Sequence, residues 1–242
     1  MMSPTPLSER FRQSIARDAF LAYLSEFIST FLFTFAVVGS IMSSRKLAPD
    51  AAATPASLAV SAMAATFGLS SAIYISGGHV NPAVTFGMAV GGHISVPTAL
   101  FYGVSQLLAS TMACLLLKAT TAGERIPTFG IAEEMTGFGA SLMEGILTFG
   151  LVYTVFATMV GGHARTVGPL AIGLVCGANV LASGPFSGGS MNPACSFGSA
   201  IVAGNFKNQA VYWIGPLIGA AVAALLYDGV LATPPSIQAS SL

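Results

Sequence analysis

Two asparagines lie in matched segments of the chain, and their side chains could bind a ligand by hydrogen bonding. The segment 77–87, GGHVNPAVTFG, reappears about half a chain later as segment 188–198, GGSMNPACSFG. Asparagine is a favoured helix N-cap and proline a favoured first helical residue, so the boxes Asn81-Pro82-Ala83 and Asn192-Pro193-Ala194 should each begin a helix. The asparagine oxygen would then cap its own first turn, which leaves the amide hydrogens for a ligand. This pattern predicts hydrogen-bond donation at two helix tips.

Two glutamates form a second matched pair. Glu26-x-x-x-Thr30 and Glu144-x-x-x-Thr148 lie in apolar stretches at corresponding places of the two halves. Burying a charge costs several kcal/mol, and buried polar groups are normally hydrogen-bonded. We therefore expect both carboxylates to accept hydrogen bonds from loop backbone N–H groups and to brace the helices that the boxes begin. The alternative is a lone buried carboxyl group, held in its protonated form.

The rest of the chain has the composition of a membrane protein. Of its 242 residues, 54% are hydrophobic and only 7% are charged, with a mean hydropathy of +0.77. A soluble domain carries roughly 25% charged residues. No Asp, Glu, Lys or Arg occurs in the stretches 51–117 and 166–206. The net charge of zero gives no indication of a nucleic-acid partner, and the lipid bilayer is the expected surroundings.

Six stretches are long enough to cross a membrane as helices. A helix of about 20 apolar residues spans a hydrocarbon core of roughly 30 Å. The predicted spans are approximately 20–42, 57–75, 97–117, 138–159, 167–183 and 208–227. The segments 80–90 and 192–203 would reach only about half-way across at about 1.5 Å per residue. We therefore expect an all-α membrane protein with six transmembrane helices and two re-entrant half-helices.

The repeat also predicts the organisation of the chain. Each half has three spans, an odd number, so the halves insert in opposite orientations and form an inverted 3+3 repeat. We expect a cytosolic N-terminal segment at 1–19, a channel domain at 20–227 with halves at about 20–117 and 138–227, and a C-terminal tail at 228–242.

The depth of the two boxes in the membrane favours a pore. Broken backbone in the bilayer is tolerated only inside protein or along a watery cavity. The amide donors of Asn81 and Asn192, together with two positive helix ends, would let water pass and oppose protons and cations. The alternative, that Asn-Pro merely starts two helices, does not explain why both caps lie in apolar segments too short to span.

With both boxes, both Glu-x-x-x-Thr elements and six spans, residues from about 20 to 227 resemble the major intrinsic protein, or aquaporin, family. The segments 77–86 and 187–194 look like those of plant tonoplast intrinsic proteins, and the filter residues named below are similar to the fifth subgroup. The resemblance implies a passive channel for water and small neutral solutes, without a cofactor. It also implies a homotetramer with one pore per subunit, in the vacuolar membrane or another intracellular membrane.

The resemblance also suggests the residues of an outer constriction. Most family members have Arg three residues after the second box's asparagine, where this chain has Cys195. Val180 and Gly189 hold two other positions, and Phe129 is a loop residue that contacts the constriction in related proteins. Exchanging Arg for Cys removes a long cation with five donors and leaves a small apolar thiol. We expect a wider, less positive constriction that admits urea, ammonia, hydrogen peroxide or boric acid beside water, unless Cys195 packs outward as a small hydrophobe.

The fourth filter position has two candidates because one connection is short. Related tonoplast proteins have around four more residues between the second span and the first box, where this chain has segment 72–78, AIYISGG. Counting back from Asn81 gives Ser61, whereas aligning segment 67–69 gives Ala65. Both are small. The short connection raises the alternative of a distorted pore that abolishes transport.

Three other functions compete with a water channel. A glycerol-type facilitator is favoured by the missing Arg and disfavoured by Ser196 and by Tyr212-Trp213. A non-conducting structural member of the family is compatible with the short connection. An intramembrane enzyme would need acid–base pairing or metal-ligand spacing. The sequence has neither pattern, so we expect no enzyme and no metal site.

Overall fold

The computed structural model describes residues 6–48, 54–161 and 166–231. Nine α-helices form in this part of the chain: α1 (Leu7–Ser14), α2 (Arg17–Leu47), α3 (Pro55–Ser76), α4 (Pro82–Val90), α5 (Val96–Thr120), α6 (Gly137–Val155), α7 (Gly168–Ser183), α8 (Pro193–Ala203) and α9 (Val211–Leu226). Helices α6 and α9 continue as π-helical turns at Phe156–Val160 and Tyr227–Leu231. The predicted tail at 228–242 lies outside the described residues from residue 232 onward.

Five helices are long and apolar enough to cross a membrane: α2, α3, α5, and α6 and α9 with their π-helical turns. The span predicted at 167–183 corresponds to α7, whose 16 residues extend about 24 Å at about 1.5 Å per residue. Large apolar side chains such as Leu100, Phe138 and Leu225 are exposed, as expected where lipid rather than water is the solvent. The predicted all-α membrane fold is confirmed.

The N-terminal segment contains a helix that the sequence analysis did not predict. It contains α1, and α2 begins at Arg17 rather than at residue 20. A search for apolar length finds only the part of a helix that lies in hydrocarbon. The first turn of α2 is polar instead, with Asp18 placed where a helix N-terminus favours negative charge.

The first half of the chain pairs α2 with α5 in parallel. Ser105 on α5 donates a hydrogen bond to the carbonyl of Tyr23 near the start of α2, at 2.7 Å. At the other end, a Cβ on Gly39 of α2 would lie 3.3 Å from the side chain of Leu117 on α5. From the first contact to the second, the residue number increases on both helices. The two helices therefore run in the same direction.

The second half pairs α6 with α9 in the same way. A Cβ on Gly215 of α9 would collide with the carbonyl of Ser141 on α6, and one on Gly219 would collide with the carbonyl of Gly145. Only residues without a side chain let two helix backbones approach so closely. The two halves therefore have the same pairing, as the internal repeat predicts.

The half-helices α4 and α8 are enclosed by the longer helices. Gly87 on α4 packs against Val152 of α6 and Ala220 of α9, and Gly198 on α8 packs against Ser110 of α5. Each half-helix therefore packs against helices from the opposite half of the chain. This packing positions the two boxes.

Candidate functional site

The two asparagines begin α4 and α8 as N-caps. Asn81 has extended backbone and its Oδ1 accepts from the N–H of Ala83 at 2.8 Å. Asn192 does the same, with Oδ1 accepting from Ala194 at 3.0 Å and from Cys195 at 3.4 Å. The side-chain oxygens therefore stabilise their own helices, and the amide nitrogens point elsewhere.

The amide groups link the two boxes to each other. Asn81 Nδ2 donates to the carbonyl of Met191 at 2.9 Å, and Asn192 Nδ2 donates to the carbonyl of Val80 at 2.9 Å. The helix tips thus meet end to end through a reciprocal pair of hydrogen bonds. Each amide has two hydrogens, so one per asparagine is used here and one remains, where the sequence had suggested that both were available.

Val80 and Met191 contribute to this arrangement through their backbones. Both have positive φ angles, 61° and 52°, which is unusual for side chains with a Cβ and costs of order 1–3 kcal/mol. The two residues precede the asparagines, and their carbonyls accept the cross-repeat bonds. The only sequence signal was their equivalent position in the repeat, because nothing in Val or Met predicts a left-handed conformation.

Glu26 is buried beside the first box. Its Oε1 accepts from the N–H of His79 at 2.5 Å, and its Oε2 accepts from the N–H of Val80 at 2.9 Å. Gln106 Nε2 on α5 donates to the same Oε2 at 2.8 Å, and to Thr85 Oγ1 of α4 at 2.9 Å. Sequence reasoning missed Gln106, although a glutamine in the middle of an apolar span was a signal that it needs partners.

Glu144 has the equivalent position in the second half. Its Oε1 accepts from the N–H of Ser190 at 3.0 Å and from Ser187 Oγ at 2.7 Å. Its Oε2 accepts from the N–H of Met191 at 2.7 Å. The hydroxyl of Tyr212 on α9 donates to the carbonyl of Ser187 at 2.9 Å and holds the loop from the other side.

A narrow cavity adjoins both asparagines. Its volume is about 10 Å³, close to the smallest space that holds one water. One part of its wall is polar, with Asn81, Asn192, His79 and Ser190. The rest is mostly apolar and comes from α2, α3, α4, α6 with its π-helical turn, and α7: Phe33, Leu69, Ile73, Val84, Leu151, Val155, Met159, Ile172 and Cys176, with Gly78 of the loop before the first box.

A wider cavity of about 490 Å³ lies at the ends of α2, α3 and α7. Three residues predicted for the outer constriction line it together: Ser61, Phe129 and Val180. The other candidate for the fourth position, Ala65, is 1% exposed and does not line it. Ser61 and Ala65 are four residues apart on one helix face, so only the position of α3 along its axis could distinguish them.

Cys195 and Gly189 line neither cavity. Cys195 is 2% exposed and belongs to the main hydrophobic core, where its thiol lies near Thr34 of α2. The thiol is too short to extend from α8 as a long side chain would. Gly189 has a φ of 61°, and a Cβ there would lie 2.6 Å from Ser183 Oγ, so the chain packs tightly against α7 at this point. Neither residue presents a side chain to either cavity.

The short connection before the first box is accommodated by two glycines. Gly77 ends α3 in a left-handed conformation, and its N–H donates to the carbonyl of Ile73 at 2.7 Å. A Cβ on Gly78 would lie 2.5 Å from Glu26 Oε1, so only glycine lets the chain pass the carboxylate. Asn81 still reaches the carbonyl of Met191 in the loop before the second box, because the turn at Gly77 and Gly78 needs no additional residues.

The structure has an inverted helical repeat, and its half-helices meet at two asparagine tips beside a cavity with room for about one water. This arrangement defines a membrane channel. A family model described as major intrinsic protein matches residues 14–227. The chain belongs to the major intrinsic protein, or aquaporin, family, and it is a channel protein rather than an enzyme.

Similar proteins cover nearly the whole chain. "Probable aquaporin TIP5-1" of Arabidopsis thaliana is 57% identical over 246 residues, covering 99% of this chain and 96% of that protein. "Aquaporin TIP2-1" of the same plant is 52% identical, covering 91% of both chains. The solved structure of the aquaglyceroporin from Plasmodium falciparum has a TM-score of 0.71 at 21% identity, covering 90% of this chain and 100% of that one. At this identity the structural match supports the fold alone.

Proposed function

We propose that this chain conducts water and small neutral solutes through the lumen beside Asn81 and Asn192. The observation that supports this most is the reciprocal pair of hydrogen bonds from the two amides to the opposite loops, at 2.9 Å each. These bonds hold the two amides close together and leave one hydrogen on each. Two donors in a space of about 10 Å³ suit the oxygen of one water molecule.

The same geometry would oppose protons and cations. A water that accepts from both amides has its oxygen engaged, so it interrupts the hydrogen-bonded chain that a proton would follow. The N-termini of α4 and α8 each carry roughly half a positive charge, and both are directed at this point. A cation would therefore meet an electrostatic barrier where the lumen is narrowest.

We extend the proposal to urea, ammonia, hydrogen peroxide and boric acid. Cys195 replaces the long cation of most family members with a buried thiol, Gly189 contributes no side chain, and Ser61 is small. The other two residues predicted for the constriction, Val180 and Phe129, are apolar and line the wider cavity. A constriction of this composition would be wide and weakly polar, which favours small uncharged solutes.

The assembly and its membrane are further parts of the proposal. We propose a homotetramer with one lumen per subunit, located in the vacuolar membrane. The support is the likeness to TIP-type aquaporins over nearly the full chain. Cross-linking in native membranes and imaging of a tagged chain beside a vacuolar marker would test these two points.

Stopped-flow light scattering on proteoliposomes tests the conduction directly. Vesicles with the purified chain should shrink in an osmotic gradient much faster than empty vesicles, and a urea gradient should show faster solute entry. A parallel glycerol gradient tests the glycerol-type alternative. Folded protein that passes none of the three would support a non-conducting structural role instead.

A further inference from the structure

The wider cavity, which is lined by Ser61, Phe129 and Val180 and is called the mouth below, has an uneven distribution of charge. Among the described residues that line it, Arg45 in the last turn of α2 is the one with a charged side chain. The polar remainder consists of hydroxyl groups, on Ser44, Thr54, Ser57, Ser61 and Thr128. No carboxylate of the described residues lines the cavity, so Arg45 contributes the one side-chain charge among the described lining residues.

The neighbouring lysine contacts a different part of the surface. Lys46 Nζ forms an ion pair with Glu124 Oε1 at 2.6 Å, and both residues line a separate groove between α2 and α5. Successive residues on a helix are about 100° apart, which explains why two adjacent cations lie on different sides of α2. Lys46 is thus neutralised locally, whereas no salt bridge engages Arg45 within the described part of the chain.

We propose that Arg45 is a specificity-determining residue that makes the entrance of this lumen repel cations. The inference rests on the conduction proposed above. It also explains how a channel with Cys195 instead of a constriction arginine retains a positive charge on its permeation path.

The physical consequence depends on salt. Charges in a water-filled mouth interact through a high dielectric and are screened over about 10 Å at 0.1 M ionic strength, but over about 30 Å at 0.01 M. Arg45 should therefore lower the local concentration of cations severalfold at low salt and much less at high salt. A merely structural role, such as a favourable charge at the C-terminus of α2, would show no such dependence at the cavity wall.

Charged thiol reagents measure this potential without requiring ion flux. A Ser61→Cys variant places a thiol on the cavity wall, whereas the native Cys114, Cys176 and Cys195 are buried. The modification rates by a cationic and by an anionic methanethiosulfonate are followed by mass spectrometry, and their ratio is compared with and without Arg45→Gln or Arg45→Glu. Lys46→Gln is the matched control, because it also removes a positive charge from the last turn of α2.

We expect the cationic-to-anionic rate ratio to rise severalfold in Arg45→Gln and further in Arg45→Glu at 0.01 M salt, to be nearly unaffected at 1 M, and to rise less in Lys46→Gln than in Arg45→Gln. Phe129→Cys offers a second thiol on the same wall if Ser61→Cys does not fold. An unchanged ratio in Arg45→Glu, in protein that passes water, overturns the assignment of Arg45 alone. A shifted ratio in protein that passes no water leaves the assignment in place and overturns the proposed conduction.

Discussion

Asn192 donates its amide to the carbonyl of Val80 at 2.9 Å, across a sequence separation of 112 residues. The bond has a symmetric counterpart from Asn81 to Met191. Each asparagine therefore caps its own half-helix and also binds the loop that precedes the other half-helix. Stability of the pore centre and donation to a permeant come from the same side chain, which makes this position unusually sensitive to substitution.

Asn192→Asp should separate these two tasks. The carboxylate keeps an oxygen for the cap but loses the donor to Val80, and it adds a negative charge between two positive helix ends. We expect a loss of about 1–3 kcal/mol in unfolding free energy, typical of an unsatisfied buried acceptor, together with slower water flux and a larger proton leak. A pH-sensitive dye inside proteoliposomes measures the leak. Asn205→Asp, at an exposed loop, is the control, and equal leaks in both variants would contradict the prediction.

Glu26→Gln and Glu144→Gln should each weaken the loop that they hold. One carboxylate oxygen becomes an NH₂ group facing a backbone N–H, so at least one hydrogen bond of 2.5–3.0 Å is lost in each variant. A hydrogen bond to a charged group contributes about 1.5–3 kcal/mol. We expect a lower melting temperature in detergent and reduced water flux. Glu134→Gln, at an exposed position, should match the wild type, and full stability and flux in both buried variants would refute the bracing role.

Cys195→Arg should reduce urea flux more than water flux. Cys195 lies in the core near Thr34, and an arginine side chain at this position is long enough to extend out of the core. Its guanidinium would make the constriction narrower and more positive. Cys195→Ala is the matched control because it stays short and apolar. Stopped-flow measurements with water and urea gradients on the same vesicles give the ratio of the two permeabilities. If both fall equally, or neither falls, the wide-filter interpretation is wrong.

Gly219→Ala should destabilise the pairing of α6 with α9. A Cβ at this position collides with the carbonyl of Gly145, which is backbone and has little freedom to move. Overpacking of this kind costs about 1–3 kcal/mol, so we expect a clear drop in the thermal midpoint of the purified protein. Gly150→Ala on α6 meets no atom within 4 Å and serves as the control. An equal midpoint in the two variants would show that the helices can separate without cost.

Several elements were predictable because their signals are local. Hydrocarbon thickness requires a minimum apolar length, so the predicted spans agree with the helices to within a few residues at most ends. The half-helices begin at Pro82 and Pro193, directly after the predicted caps, because Asn-Pro specifies an N-terminus by its own chemistry. Helix α1 was missed because it is short and polar, and periodicity is weak over so few residues.

The candidate site was predictable only in part. The sequence suggested which residues take part, but not their partners, and Gln106 and the carbonyl of Val80 went unnoticed. It also left Ser61 and Ala65 as alternatives, since the short connection before the first box allows two alignments of the second span. Burial of Cys195 depends on how α8 packs against neighbouring helices such as α5, and no pattern within residues 192–203 predicts that packing.

The sequence by itself determined the inverted repeat, the apolar spans, and two capped helix starts in segments too short to cross a bilayer, because each follows from neighbouring residues. Only the tertiary structure decided that each asparagine amide binds the opposite loop, that Arg45 rather than Lys46 faces the mouth, and that Cys195 is withdrawn into the core. These outcomes depend on groups that lie far apart along the chain and meet only when the helices pack.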